Sequence, residues 1–187
     1  MASQVVLAGV LLMLAAGVQA SAQTPPEVTI DSITYGGSGC GFDDTDYALS
    51  NDYKTVNFTF DGMVATTDGD RKKACQISFA LNYPDGWSFS VGQATANVHF
   101  DIVKNSVGIY RTVCYFSGQS GTTMIERKIE GPRVGSLEIT EDFQTPLWSD
   151  CNSKPNLNMK LEVGVEGEKA VMGLDKFHHV NLLWRQC

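Results

Sequence analysis

Histidine is scarce, with three in 187 residues. No Gly-x-Ser-x-Gly elbow, His-Glu-x-x-His pair or phosphate loop accompanies them, so the usual hydrolase, metalloprotease and nucleotide signatures are absent. His178 and His179 are neighbours and point to opposite faces of a strand, so with His99 they do not close on one zinc ion. Charge is missing from the first 22 residues, and no later stretch approaches the ~20 consecutive apolar residues that span a bilayer. There is no internal repeat of fixed period and no low-complexity linker beyond Gln23–Pro26. Basic residues are in the minority, 14 Lys and Arg against 21 Asp and Glu, for a net charge of −7. Such a chain is repelled by phosphate backbones and anionic lipid, which excludes nucleic acid and membrane as partners. The one basic run, Arg71-Lys72-Lys73, follows Asp68-Gly69-Asp70 and reads as a solvated turn.

What is present begins with the uncharged leader. It is apolar from Val5 to Ala16 and closes on the small-residue sequence Gln19-Ala20-Ser21-Ala22, the pattern of a cleaved secretory signal over residues 1–22. The chain is therefore expected outside the cell, with residues 23–187 as one domain large enough for its own core. Export removes ATP- and NAD-dependent chemistry from consideration. It also makes Asn57-Phe58-Thr59 a candidate glycosylation site and turns five cysteines into a disulfide question.

Each of the five choices of odd cysteine leaves three ways of pairing the other four, and arithmetic does not select among them. Cys187 gains most from a partner that ties down a fraying end. Cys114 sits in the apolar run Val113-Cys114-Tyr115-Phe116 and reads as the unpaired thiol, buried as a small hydrophobe.

Period-two alternation dominates the rest, punctuated by Gly, Pro, Asn and Asp. Glu27 to Tyr35 alternates before the loop Gly36-Gly37-Ser38-Gly39-Cys40-Gly41, whose glycines suit a tight path around a bridged cysteine. Tyr47–Ser50 and Lys54–Phe60 form a hairpin that puts Val56, Phe58 and Phe60 inward and Asn57 outward. Cys75, Ile77, Phe79, Leu81 and Tyr83 share one face, Pro84-Asp85-Gly86 turns the chain, and Trp87, Phe89 and Val91 resume the pattern. Val98–Ile102, Val107–Phe116, Thr122–Glu130, Leu157–Val165, Ala170–Leu174 and Val180–Arg185 complete the set. Ile139–Asp150, the least periodic stretch, reads as a crossing loop. The fold class is an all-β, disulfide-stabilised antiparallel sandwich of about ten strands.

Two small-site ideas arise from residue chemistry. Asp43, Asp44 and Asp46 are the hard oxygen donors calcium takes, although turn-forming aspartates explain the same residues; apart from that candidate no cofactor is called for. Trp87 and Trp148 could stack on sugar rings if exposed, with core burial as the plainer account of each, whereas Trp184 alternates with Val180 and Leu182 and reads as core. His99, Asp101 and His178 are the residues to test for catalysis.

Five landmarks occur in order: Ile33-Thr34-Tyr35-Gly36-Gly37-Ser38-Gly39-Cys40, Cys75-Gln76-Ile77, Tyr83-Pro84-Asp85-Gly86-Trp87, Leu147-Trp148-Ser149-Asp150-Cys151 and Leu183-Trp184-Arg185-Gln186-Cys187. In this the chain resembles the small secreted fungal and bacterial proteins grouped as domain-of-unknown-function family 4360. The resemblance implies an all-β domain with Cys40 bridged to Cys75 and Cys151 to Cys187, leaving Cys114 over. It brings no catalytic residues. Gly41 stands where the family often has proline, so the path of that loop does not carry over.

Three functions follow for comparison. The first is a secreted, monomeric, non-enzymatic interaction protein, an effector or elicitor acting on a host or cell-wall protein or polysaccharide. The second is an extracellular carbohydrate- or wall-binding module using Trp87 or Trp148. The third is a sandwich-fold lyase or cyclase.

Overall fold

The computed structural model describes residues 24–41, 45–53 and 55–187. Among them eleven strands form in chain order: β1 (Thr29–Gly36), β2 (Thr45–Leu49), β3 (Thr55–Phe60), β4 (Val64–Thr66), β5 (Lys72–Asn82), β6 (Trp87–Ile102), β7 (Val107–Phe116), β8 (Thr123–Glu130), β9 (Arg133–Asp142), β10 (Leu157–Glu166) and β11 (Ala170–Gln186). They make two antiparallel sheets. One has five strands in the order β1-β5-β10-β7-β8; the other runs β2-β3-β11-β6-β9, with β4 also paired to β11. The architecture is an all-β sandwich with two disulfides.

Alternation builds the core. On β5, Cys75, Ile77, Phe79 and Leu81 are buried, and on β3 so are Val56, Phe58 and Phe60. The two sheets meet through these rows, Phe58 against Phe79 with ring centroids 6.3 Å apart and Phe89 edge-on to Phe116 at 5.2 Å. Each such buried ring is worth about 1.5–3 kcal/mol relative to exposure, so packing of the two inner faces dominates the fold.

Several expected boundaries give way. The crossing loop expected over Ile139–Asp150 is in part a strand, because β9 runs to Asp142 and pairs along the edge of β6. Its signal is missing because Ile139 is its only buried residue, and an edge strand with nothing beneath it needs no alternation. The strands expected at Ala170–Leu174 and Val180–Arg185 are one, β11, whose pairing with β6 shifts register between Leu174 and Lys176, His178 and Val180, and Val180 and Leu182. Each bulge resets the inward parity, which ends a period-two reading while the strand continues. Trp87–Val91 and Val98–Ile102 likewise belong to one strand, β6, bridged by the small buried residues Ala94 and Ala96.

Cys40 is bonded to Cys75 and Cys151 to Cys187, while Cys114 is free and buried. Burial pushes the Cys114 thiol far above its ordinary value, which keeps it neutral and unreactive. The glycine loop before Cys40 passes so close to β5 that a Cβ on Gly37 would lie 2.2 Å from the Ala74 carbonyl oxygen.

Candidate functional site

One end of the sandwich carries a cleft of 650 Å³. Its floor comes from the β5–β6 hairpin. Tyr83 is buried where β5 ends, and Asp85 and Gly86 turn the chain, Gly86 at a φ of 80° that residues with a Cβ rarely adopt. Trp87 then opens β6 with its ring half-buried against the core. The opposite wall is Asn152, Ser153, Lys154 and the Cys151–Cys187 disulfide.

That wall is held in place by Ser149. Its hydroxyl accepts from the Phe89 N–H at 3.0 Å, its own N–H donates to the Phe89 carbonyl at 2.8 Å, and its carbonyl accepts from Ser88 Oγ at 2.7 Å. Tyr83 Oη lies 3.5 Å from Ser149 Oγ. Burial pushes the Tyr83 phenol up, partly opposed by the Ser149 hydrogen bond and the Lys154 charge, so it stays a neutral hydroxyl at physiological pH. Beyond the clamp, Asp150 Oδ1 accepts from the Asn152 N–H at 2.8 Å, and the Cys187 N–H donates to the Gly86 carbonyl at 2.8 Å. Lys154 reaches across, its Nζ 3.2 Å from Asp85 Oδ1 and 5.6 Å from the Tyr83 ring centroid. Together with Tyr83 it divides the cleft from a second hollow of 340 Å³ that includes Glu27, Thr29 and Asn82.

The arrangement pairs an aromatic face with a rim carrying one carboxylate, one ammonium, an amide and a hydroxyl. That combination suits a ligand with an apolar ring face and hydroxyls at its edge. No histidine lines the cleft among the described residues.

The two candidate tryptophans are not brought together. Trp87 lies on the side of β6 that Phe89 shares, whereas Trp148 bridges to Ser90, the opposite parity. The Trp148 ring is covered by the Arg185 guanidinium, 4.3 Å from its centroid, and does not line the cleft. Trp184 is buried against Tyr83 and Phe89. Asn57 is half-buried on β3 opposite Ala48. Asp43 and Asp44 lie outside the described residues, and Asp46 is exposed on β2. Among the described residues no group of three or more His, Cys, Asp or Glu could hold a metal ion.

His99 Nδ1 lies 2.6 Å from Asp175 Oδ1 on the open face of the six-stranded sheet, and its ring sits directly over Gly173. Asp101 is exposed one pleat further along β6, and the backbone of His178 belongs to β11. Asp175 escaped the sequence reading because it falls on a bulge of β11, far from His99 in the chain. In the basic run, Lys73 pairs with Asp70 at 2.7 Å as a local turn does. The hydrogen bond and charge from Lys73 hold the Asp70 carboxyl below its ordinary value. Asn152, Lys154 and Ser149 as parts of a site were also missed, since only the disulfide and the hairpin place them beside Trp87.

A protein of Arthroderma benhamiae described as an uncharacterized secreted protein is 27% identical over 183 residues, spanning 89% of this chain and 75% of that protein. Among solved structures, the carbohydrate-binding module TmCBM61 in complex with β-1,4-galactotriose is similar at a TM-score of 0.33 and 12% identity, over 84% of this chain and 90% of that one. A family 11 carbohydrate-binding module from Clostridium thermocellum, with a mixed-linked tetrasaccharide, is similar at a TM-score of 0.29 and 8% identity, over 83% and 88%. Likenesses this slight carry no argument about a ligand. The family model described as Domain of unknown function (DUF4360) matches residues 26–187, and the chain belongs to that family.

Proposed function

We propose that this protein is a non-catalytic carbohydrate-binding domain whose sugar site is the cleft at Trp87. Its setting is extracellular, in keeping with its secreted relative and its two disulfides. Residues 1–22 serve as the export signal in this reading. The observation that carries it is the half-buried indole of Trp87 at the edge of a 650 Å³ cleft, facing the polar side chains of Asp85, Asn152 and Lys154. A pyranose can lay its C–H face on the indole while its hydroxyls pair with the rim. An effector or elicitor role would be an outcome of such binding at a host or fungal wall.

The test is retention of residues 23–187 on insoluble chitin, β-glucan, cellulose and plant cell-wall extract. Saturable retention on one of them is expected, with Trp87→Ala weakening it at least about tenfold and Trp148→Ala leaving it unchanged. Near-ultraviolet circular dichroism reports whether the variants keep their fold. No retention on any polysaccharide, or full retention by folded Trp87→Ala, overturns the reading and moves the search to a protein target.

A further inference from the structure

The outer face of the five-stranded sheet gathers positive charge on a chain that is acidic as a whole. Glu162 on β10 stands opposite Ala74 on β5 and Arg111 on β7, and Lys72 stands opposite Gly164. On a sheet face open to water a glutamate is ordinarily exposed, yet Glu162 is only 5% accessible. Three cations close over it: Lys72 Nζ at 2.5 Å, Lys160 Nζ at 2.9 Å and Arg111 Nη1 at 3.6 Å. Arg111 also donates through Nε to Glu126 Oε2 at 2.7 Å, and Lys128 Nζ lies 3.8 Å from the other oxygen of Glu126. Four cations thus face two carboxylates, a local excess of positive charge on a chain of net charge −7.

The charge borders a hollow. Gly164 contributes no side chain to the face, and a niche of 200 Å³ is left there, lined by Lys72, Ile109, Arg111 and Glu162. Arg71 and Glu166 line it as well, the Arg71 guanidinium donating to the Gly167 carbonyl at 3.2 Å. The Lys72 and Lys160 side chains remain 58% and 44% exposed. An ammonium has three donors, so both keep hydrogen-bonding capacity beyond their bond to Glu162.

We propose that this niche is a second site, separate from the cleft at Trp87, for an acidic polysaccharide bearing carboxylate or sulfate groups. Arg71, Lys72 and Arg111 take the anionic group and the half-buried Ile109 offers an apolar contact to the sugar ring. The niche fits a single acidic ring. A nucleic acid needs a continuous basic stripe, and the acidic remainder of this surface works against one.

The experiment is retention of residues 23–187 on immobilised polygalacturonate and on dextran sulfate, with neutral dextran as reference, over a salt gradient. Retention on a polyanion that falls with salt is expected. Arg71→Ala with Lys72→Ala weakens it at least about tenfold, as loss of two charge-assisted hydrogen bonds requires. Glu162→Gln, which keeps every cation and removes the competing carboxylate, tightens it and so guards against a double variant that fails to fold. Retention on polygalacturonate alone identifies a carboxylate ligand, and on dextran sulfate alone a sulfate ester. Equal retention on neutral dextran, no retention on either polyanion, or unchanged retention in the folded double variant overturns the proposal. Loss of polyanion retention in folded Trp87→Ala overturns it too, because that result puts the anion in the cleft.

Discussion

Ser149 is 1% exposed, and its hydroxyl serves the Phe89 N–H and the Tyr83 phenol at once. Alanine in its place would strand a buried N–H with no acceptor from that side, a loss worth about 1–3 kcal/mol. Urea unfolding of Ser149→Ala is therefore expected to show that drop, and because Ser149 anchors the wall of the cleft, polysaccharide retention should weaken with it. Stability unchanged within about 0.5 kcal/mol would mean that the disulfide alone sets the wall. Sequence reading gave this residue no part, since nothing distinguishes a clamping serine in a loop from a solvated one. Trp87 was legible as a candidate because it starts a strand after an obvious turn, and Trp148 as another; strand parity, the cleft and the position of Arg185 separate them.

Glu162 ties three strands together, and its titration reports on them as a set. Burial raises its carboxyl, but the hydrogen bonds and charges of Lys72 and Lys160 outweigh that and hold it below the ordinary value of 4.5. A carboxyl lowered in the folded state adds stability above the unfolded value and gives it up as pH falls through the folded one. Thermal unfolding should accordingly show a loss below about pH 4.5 that is shallower in Glu162→Gln; identical acid slopes in the two proteins would dissociate Glu162 from the effect. Strands were legible where burial alternates, as in β3, β5 and β7. They were not legible where it does not: β9 lies on an edge with one buried residue, and β11 changes parity at its bulges. Glycines of the Gly36–Gly41 loop did signal a close approach, which Gly37 makes against Ala74. Charge convergence across β5, β10 and β7 had no local signal, because strand order is not written in any one segment.

At the scale of the whole molecule, the Cys151–Cys187 bond closes a loop of sequence separation 36 beside the cleft. Removing it by Cys151→Ala with Cys187→Ala is expected to cost about 3–4 kcal/mol, read by urea unfolding, and to weaken polysaccharide retention even where the protein remains folded. Full retention by that variant would show that the Ser149 clamp suffices. The pairing itself was not recoverable from cysteine counting; it came with the family resemblance.

The position of β11 sets an order in time. This strand pairs with β3, β4 and β6, so the middle of the six-stranded sheet is filled by residues 170–186. A chain emerging from its amino end has β3 and β6 ready long before the strand that must lie between them. Until residue 186 is free, those two strands present unpaired edges, the state in which β proteins associate wrongly. The sheet therefore closes only once the whole of β11 is available to fill its middle.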